Sequence, residues 1–523
     1  MKHQHKIISF FLSFTILLGA FNISSFAFSA TQTDLVETNV VSGTTGDCTW
    51  TLNGTILTVS GNGEMADYNY WSDTNKAPWG TSVTAVTISN GVTRIGTDAF
   101  YNCTDLTNVV VPDSVTSIGR SAFSETEWYE NQPDGVVYVG KVAYKMKGYP
   151  CPETVRIKDG TISIAIDAFA YCSELKNVII PYTVTKIEEH AFAACQNLTN
   201  ITIPDSVTNI GQGAFLYTAW YENQPEGLIY VNRVAYEMKG KCPAEVIIKD
   251  GTVSITDSAF YNCKELSKIV IPASVGSLGN RVIEGCSGLE NITVVKGNAF
   301  YDSRNNCNAL IESETNTLLF GCKNTVIPDS VTSISERAFY ECSGLTSINI
   351  PDSVTNIGEW AFYNCLNLTK VVLPKSNLVI GDYAFFCCPS LLQITIPKNI
   401  VAIGIYSLGF NEIYQVTPRY AISNFVIYGY KSTVAERYAN DNGFTFIALD
   451  DNPKPKVGDA DGDGEITLMD VTNVQHYLSS MHTGVEDDVL MSADVDKNGL
   501  LEIIDTTWIQ RHLAGMEIPY AIG

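Results

Sequence analysis

The sequence predicts a mixed fold in which a long β-rich solenoid precedes a small all-α module. Two internal repeats support this prediction. Near the C-terminus, an acid-rich segment occurs twice at an offset of 35 residues. The dipeptide Ala-Phe recurs, mostly every 23 residues, at Ala99, Ala122, Ala168, Ala191, Ala214, Ala259, Ala338, Ala361 and Ala384. A period of roughly 20–29 residues is typical of a solenoid, whose coils bury their apolar side chains against neighbouring coils.

The N-terminal segment has the features of a secretory signal peptide. Lys2 and Lys6 precede an apolar run over residues 7–20, and small residues follow at Ala27 and Ser29. Polar residues from Asn22 onward end the run before it reaches the length of a bilayer span. We therefore expect residues 1–30 to be a signal peptide and the remaining chain to be secreted.

Charge excludes two classes of partner. The formal net charge is -23, whereas nucleic acids and anionic lipids are bound through Lys and Arg. No later segment is apolar for long enough to enter a membrane. We expect no nucleic acid partner and no membrane insertion.

One repeat unit is clearest between Leu345 and Cys365. Leu345, Ile348 and Ile350 alternate along a short strand, so that their side chains point to one side. A single coil leaves these residues and Phe362 exposed, but stacked coils bury them. The unit therefore predicts one short strand per coil and an apolar interior.

This unit resembles the BspA-type leucine-rich repeats of bacterial surface proteins, over about residues 83–403. Residues 31–82 resemble the N-terminal cap of these proteins, and residues 425–449 resemble their closing unit. The resemblance implies leucine-rich repeats of about 23 residues over 83–424. Strand residues that face out of the coil are then expected to line a concave binding face.

Three inserts interrupt the repeats. Residues 128–148 return as residues 220–240, and each copy reads as a hairpin; a different insert occupies residues 301–322. The pairs Trp128-Tyr129 and Trp220-Tyr221 have two interpretations. They stack on sugar rings, or they anchor each hairpin on the solenoid, which we favour because the whole insert repeats.

Eight of the fourteen cysteines occupy one position of the repeat: Cys103, Cys172, Cys195, Cys263, Cys286, Cys342, Cys365 and Cys388. Side chains in the same register point in parallel, so the Cβ atoms of stacked coils stay about 4.8 Å apart, which exceeds the usual ~3.8 Å of a disulfide. We expect buried free thiols. Cys307 and Cys322 flank an insert, and their pairing stays open.

The C-terminal repeat has the spacing of two calcium loops. Calcium takes six to eight oxygen ligands, and such loops supply them from positions 1, 3, 5, 7 and 12, with position 7 giving a backbone carbonyl. The first loop supplies Asp459, Asp461, Asp463, Glu465 and Asp470, and the second supplies Asp494, Asp496, Asn498, Leu500 and Asp505. A helix is expected after each loop, with the pairs Val474/Leu478 and Ile509/Leu513 on its apolar face, and Ile466 and Leu501 are expected to pair the loops through a short strand contact.

Residues 457–523 contain two loop-helix units, neither with an entry helix, and a Pro-rich linker at 450–456 precedes them. This arrangement resembles a type I-like dockerin. The helix sequences resemble dockerins of rumen and gut clostridial bacteria. The resemblance implies two calcium ions and a scaffoldin cohesin as partner. The cohesin contacts that it implies are Leu468, Met469, Gln475, His476, Ile503, Ile504, Gln510 and Arg511.

Catalytic motifs are absent from the sequence, and His190 is the single histidine in the repeats. We therefore expect no enzyme. The dockerin resemblance implies a cellulosome-like, cohesin-bound component at the cell surface. The solenoid is then a protein- or surface-binding adhesion module. The alternative is an unrecognised carbohydrate-active or polysaccharide-binding module that the dockerin delivers.

Overall fold

The computed structural model describes residues 40–413, 416–451, 457–460, 465–479, 491–497 and 501–520. The predicted signal peptide and most of the predicted linker lie outside these ranges. Within them, short strands build two parallel sheets on the two sides of a stack of coils. The predicted β-solenoid is confirmed.

The first sheet takes a strand of three or four residues from most coils. In the regular coils these strands pair in parallel with a step of 23 residues, for example Ile348 with Val371. The strands are β5 (Ala85–Ile88), β7 (Asn108–Val110), β11 (Thr154–Arg156), β13 (Asn177–Ile179), β15 (Asn200–Thr202), β19 (Glu245–Ile247), β21 (Lys268–Ile271), β23 (Asn291–Val294), β28 (Ser347–Asn349), β30 (Lys370–Val372), β32 (Gln393–Thr395), β36 (Val426–Gly429) and β37 (Thr445–Ala448).

The second sheet is built from shorter strands, most of them two residues long. The same step of 23 residues relates them, as in the pair Ile357 and Ile380. They are β6 (Val92–Ile95), β8 (Ser117–Ile118), β12 (Ser163–Ile164), β14 (Lys186–Ile187), β16 (Asn209–Ile210), β20 (Ser254–Ile255), β22 (Ser277–Leu278), β27 (Ser333–Ile334), β29 (Asn356–Ile357), β31 (Val379–Ile380) and β33 (Ala402–Ile403).

The coil interior holds the residues that the repeat predicts. Leu345 and Phe362 are fully buried, and Ile348 and Ile350 are no more than 4% exposed. The phenylalanines of successive coils stack nearly face to face, and the rings of Phe339 and Phe362 have centroids 4.7 Å apart. Within each run of regular coils, the core therefore contains a column of stacked rings, such as Phe169, Phe192 and Phe215.

Tight turns close each coil through two residues in the left-handed region. One directly precedes the Ala-Phe pair and the other directly precedes the register cysteine, as in Trp360 (φ 58°) and Asn364 (φ 57°), or His190 (φ 53°) and Ala194 (φ 59°). Left-handed backbone costs roughly 1–2 kcal/mol for residues other than glycine. The apolar stack holds several residues there that carry no turn signal in the sequence.

Each of the three inserts interrupts both sheets. Antiparallel strands form the inserts: β9 (Gly135–Val139), β10 (Val142–Lys147), β17 (Gly227–Val231), β18 (Val234–Lys239), β24 (Tyr301–Asp302), β25 (Leu310–Glu312) and β26 (Thr317–Phe320). The last strand of an insert then pairs in parallel with the next coil, as Ala143 does with Ile164. After each insert, the solenoid thus continues as a separate block of coils.

A fourth hairpin, which the sequence does not predict, lies inside the expected repeat range. It consists of β34 (Phe410–Ile413) and β35 (Val416–Ala421). Arg419 of β35 places its guanidinium 4.8 Å from the ring centroid of Tyr383 and 4.6 Å from that of Tyr406. The hairpin therefore packs along the edge of the last coils.

The aromatic pairs of the two related inserts lie on short helices, α1 (Glu127–Glu130) and α2 (Ala219–Glu222). Trp220 packs 4.9 Å from the ring of the coil residue Phe215. The Lys239 ammonium donates to the carbonyls of Tyr221, Glu222 and Gln224 at 2.7–3.0 Å. These contacts support the anchoring interpretation over sugar stacking.

One disulfide corrects the expectation of free register thiols. Cys172 is bonded to Cys151, with a Cα–Cα distance of 5.6 Å. The argument from parallel side chains fails here because Cys151 belongs to the exit of the first insert and not to the register. Among the described residues the other twelve cysteines are free and buried, including Cys307 and Cys322.

The two ends of the solenoid have their own structure. At the N-terminal end, β1 (Val40–Thr45), β2 (Cys48–Asn53) and β3 (Ile56–Gly61) form an antiparallel meander, and β4 (Gly63–Glu64) joins the second sheet. At the other end, α3 (Val434–Asn442) packs beside β36 and β37. These elements lie within residues 31–82 and 425–449, and their role as caps stays a prediction.

The C-terminal module contains α4 (Leu468–Leu478) and α5 (Ile503–Leu513). Short 3-10 helices occur at Arg304–Asn306, Leu449–Asp451 and Met491–Ala493. None of the helices in the described ranges combines the length and the apolar character needed to cross a bilayer.

Candidate calcium and docking site

Each of the two helices of the C-terminal module follows an acidic loop. Thr467 precedes α4, and its hydroxyl accepts the N–H of Met469 at 3.0 Å. This contact satisfies one of the backbone donors that the first helical turn leaves open. Thr467 therefore caps the start of α4. The last acid of each loop lies in the first turn of the helix that follows it.

The last acid of each loop is held by the same two backbone donors. Asp470 accepts the N–H of Ala460 at 2.7 Å and that of Thr467 at 2.6 Å. At an offset of 35 residues, Asp505 accepts the N–H of Val495 at 2.9 Å and that of Glu502 at 2.8 Å. Both carboxylates are fully buried. The loop spacing predicts these acids as ligands but carries no signal for the donors that orient them.

Three carboxylates converge in the second loop. Oxygen atoms of Asp494, Asp496 and Asp505 lie within 4.8 Å of one another. Burial raises the pKa of Asp505, and the charges of Asp494 and Asp496 raise it further, although the two backbone N–H groups act in the opposite direction. Closing this loop therefore brings like charges together, which a cation offsets.

The donor set fits a hard cation. All three side chains offer oxygen, which calcium and magnesium prefer over nitrogen or sulfur. When bound, such an ion supplies positive charge that holds the loop closed and carries no reaction. Asn498 and Leu500, the remaining ligands expected in this loop, lie outside the described residues.

The first loop is described at its two ends. Asp459 is 1% exposed and Asp470 is fully buried, whereas Glu465 is exposed. Asp461 and Asp463 lie outside the described residues. The hydroxyl of Ser492 donates to the carbonyl of Asp459, and Gly458 donates to the Ser492 carbonyl at 2.9 Å. Ser492 therefore joins the two loops, and the loop spacing carries no signal for this contact.

A small apolar core supports both loops. It contains Ala460, Val471, Val474, Ala493, Val495, Leu501 and Ile509, with Ile466 packed beside it. The predicted strand contact between Ile466 and Leu501 is not present among the described residues, and both side chains join this core instead. The two loops are therefore connected through side-chain packing.

Of the four residues predicted to form the apolar helix faces, two are buried and two are exposed. Val474 and Ile509 are fully buried, but Leu478 is 38% exposed and Leu513 is 39% exposed. The buried positions of α4 begin one turn earlier, at Asp470 and Val471. Because the core covers only the first turns of each helix, the later turns project from it.

The predicted cohesin-contact residues lie at the surface. Leu468 is 68% exposed and Ile503 66%, and Met469 and Ile504 are also exposed. Gln475, Gln510 and Arg511 are exposed as well, and the His476 side chain lies outside the described residues. The guanidinium of Arg511 lies 5.3 Å from the ring centroid of Trp508 and donates to the Glu517 carbonyl. The described contact positions are thus accessible. In the second copy, the side chain of Arg511 is also held by its contacts with Trp508 and Glu517.

The solenoid has a separate open cleft of about 580 Å³ where the third insert interrupts the coils. Glu284 lies in it and is paired with Arg281 at 2.6 Å and with Arg337 at 3.6 Å. The two guanidinium groups cover the ring faces of Tyr261 and Tyr340. Within the cleft, the Glu284 carboxylate is therefore paired with two guanidinium groups, and each of these groups also lies over an aromatic ring.

Two family models match the sequence. Residues 75–148, 148–238, 230–318 and 311–431 match the BspA type leucine rich repeat region. Residues 457–514 match the dockerin type I domain. No curated protein matches this chain. The two models cover the coil stack and the two loop-helix units.

Solved structures of leucine-rich-repeat proteins are similar to this chain. A leucine rich cell surface protein from Faecalibacterium prausnitzii A2-165 is 24% identical over 78% of this chain and 94% of its own, with a TM-score of 0.35. A leucine-rich repeat protein from Bacteroides ovatus ATCC 8483 is 22% identical over 77% and 98%, with a TM-score of 0.26. One from Eubacterium ventriosum ATCC 27560 is 19% identical over 74% and 99%, with a TM-score of 0.22.

Proposed function

Because this chain belongs to the family of BspA-type leucine-rich-repeat proteins and carries a dockerin type I domain, we propose that it is a secreted, non-catalytic subunit of a cohesin–dockerin assembly. The dockerin binds the cohesin module of a scaffoldin in a calcium-dependent way. The solenoid acts as a protein- or surface-binding adhesion module. The observation that carries the proposal is the pair of equivalent acidic loops, each beside exposed apolar residues at a helix start.

Equivalent contacts in the two loops support a stoichiometry of two calcium ions. Asp470 and Asp505 have the same pair of backbone donors at an offset of 35 residues. A loop that orients its last carboxylate in the same way is expected to bind the same ion. Asp494, Asp496 and Asp505 would hold the ion of the second loop, and Asp459 and Asp470 are ligands of the first.

The exposure of apolar side chains supports the docking face. Leu468 and Met469 at the start of α4, and Ile503 and Ile504 at the start of α5, leave water-exposed apolar surface in a module with very little core. Apolar side chains grouped in this way mark protein-binding surfaces. The ion closes the loop and thereby fixes the first turn that presents them.

Binding to a panel of immobilised type I cohesins tests the docking proposal. The full chain without residues 1–30 is expected to bind at least one cohesin in calcium and none after chelation. Leu468→Ala/Met469→Ala and Ile503→Ala/Ile504→Ala are the two face variants, and Tyr182→Ala, at an exposed solenoid position, is the matched control. Calcium-independent binding, or binding that survives when both face variants are combined, would contradict the proposal.

The same variants distinguish one binding orientation from two. If the dockerin uses either face, each single-face variant keeps most of the affinity and only the combination loses it. If it uses one face, one variant alone lowers the affinity by about 30-fold or more, as hot-spot truncation does. Arg511, which contacts Trp508 and Glu517 in the second copy, favours the second outcome.

The alternative role of the solenoid is a carbohydrate-active or polysaccharide-binding module. The full chain with Asp470→Asn and Asp505→Asn keeps the solenoid and removes cohesin docking. Incubation of this variant with plant polysaccharides separates the two roles. Release of reducing ends or retention on the polysaccharide favours the alternative, and capture by cells or proteins without either favours adhesion.

A further inference from the structure

The two related inserts bring a second pair of cysteines into the geometry of the first. Cys151 lies three residues before Thr154, which begins β11, and Cys242 lies three residues before Glu245, which begins β19. A proline follows each cysteine. The exits of the two inserts therefore place one cysteine at the same distance from the next strand.

The partners of these cysteines are also equivalent. Thr154 pairs with Asn177 in register, and Glu245 pairs with Lys268. Cys172 lies five residues before Asn177, and Cys263 lies five residues before Lys268. The same parallel register thus sets Cys151 beside Cys172 and Cys242 beside Cys263.

The surroundings of Cys242 and Cys263 favour a disulfide bond between them. Cys242 is 6% exposed and Cys263 is 5% exposed, and both belong to one apolar cluster. Their thiols are in hydrogen-bond contact, and this contact lowers the pKa of the Cys242 thiol. The thiolate is the nucleophile in disulfide formation.

In a coil that follows a regular coil, the thiol of the register cysteine contacts a backbone carbonyl and not a second cysteine. The thiols of Cys195 and Cys286 donate to the carbonyls of Phe169 and Phe260 in the preceding coil, at 3.0 and 3.1 Å. The coils of Cys172 and Cys263 follow an insert instead, and the insert supplies a second cysteine. The insert–coil junction therefore places a cysteine from outside the register beside the register cysteine.

We propose that Cys242 and Cys263 form a second structural disulfide, equivalent to Cys151–Cys172, when the protein folds in an oxidising compartment. Two S–H bonds break and one S–S bond forms, and the two protons end on the thiol groups of the reduced oxidant. The two electrons pass to a disulfide-bearing thiol oxidant, which is reduced to its dithiol through a mixed disulfide with this chain. Each related insert is then bonded covalently to the first coil of its block.

Mass spectrometry of the oxidised full chain without residues 1–30 tests this proposal. Alkylation under denaturing, non-reducing conditions is expected to label ten of the fourteen cysteines. Trypsin should leave residues 242–249 linked to residues 250–264, as it leaves residues 148–156 linked to residues 159–176. Cys307 and Cys322, a buried pair at the third insert, are the internal control and should be alkylated.

Three results would overturn the proposal. In the first, Cys242 and Cys263 are both alkylated while Cys151 and Cys172 stay linked. In the second, all fourteen cysteines are alkylated in protein exported through an oxidising compartment. In the third, Cys242 is linked to a cysteine other than Cys263. A Cys151→Ser/Cys172→Ser variant should keep the second link, because the two junctions lie in different blocks.

Discussion

The ring of Phe362 lies parallel to that of Phe385 in the next coil, with the centroids 4.7 Å apart and 3° between the planes. Both rings are almost completely excluded from water. Phe362 also stacks on Phe339 at 4.7 Å. One side chain therefore connects three coils.

Replacement of Phe362 by alanine should lower the free energy of unfolding by about 3–5 kcal/mol, because it removes buried apolar area and leaves a cavity between three coils. Urea denaturation followed by circular dichroism measures the change. Tyr182→Ala, at a position 81% exposed, is the control and should change stability by less than about 0.5 kcal/mol. Equal effects of the two substitutions would contradict a stabilising role of the ring stack.

Removal of calcium should unfold the C-terminal module and leave the solenoid folded. Without the ion, Asp494, Asp496 and Asp505 repel one another within 4.8 Å, and the core beneath them is small. Hydrogen exchange should show loss of protection in α4 and α5 after chelation. Solenoid peptides serve as the internal control, and unchanged protection of both helices would contradict the expectation.

Lys239→Met should loosen the second insert. The substitution removes three charge-assisted hydrogen bonds to the end of α2 and costs about 2 kcal/mol. Local hydrogen exchange in residues 219–240 should accelerate accordingly. The control is Lys176→Met, which removes an exposed ion pair with Glu153. Loss of this ion pair should lower the free energy of unfolding by at most about 1 kcal/mol.

Glu237→Gln should stabilise the protein at neutral pH. Burial raises the pKa of Glu237 above the ordinary 4.5, and its Oε2 atom is buried without a hydrogen-bond partner. The folded state therefore binds a proton more tightly than the unfolded state, so wild-type stability falls as pH rises from 4.5 through the folded pKa.

The advantage of the neutral amide over the ionised carboxylate at this position is on the order of 1 kcal/mol. It should be complete above the folded pKa of Glu237 and should disappear as pH falls towards 4.5. Thermal unfolding across this pH range measures it. Glu226→Gln, at an exposed position of the same insert, is the control and should give no such pH dependence.

Ala194→Gly should stabilise the solenoid, in contrast to most glycine substitutions. Ala194 has φ 59°, a conformation that glycine adopts without the cost that it has for alanine. We expect a gain of about 0.5–1 kcal/mol. Ala193→Gly, one residue earlier and outside the left-handed region, should destabilise by a similar amount. The same sign for both changes would contradict the turn assignment.

The repeat period was sufficient to predict the coils, because the same interior contacts return every 23 residues. Leu345, Ile348 and Phe362 are buried as the pattern requires. The left-handed turns at Trp360 and Ala194 were not predictable, because neither residue type has a preference for that backbone. Stacking between neighbouring coils imposes the conformation, and this is a tertiary effect.

The cysteine prediction was wrong at Cys172 for a related reason. Its partner, Cys151, lies outside the register, and an argument based on stacked coils does not include it. At the calcium site, the acids were recognisable from their spacing. The backbone donors of Ala460 and Val495 were not, since any residue except proline provides an N–H group.

Both sheets are interrupted at the same three inserts, and this has a mechanical consequence if the chain is held at one end, as the proposed docking implies. The strand ladders continue only within a block, and across an insert they are replaced by single contacts such as the N–H of Trp128 donating to the carbonyl of Leu106 at 2.6 Å, so the inserts are the weaker links of the stack. A tensile load along the stack is expected to separate the blocks one after another while each keeps its internal coils. The molecule would then extend in discrete steps under force.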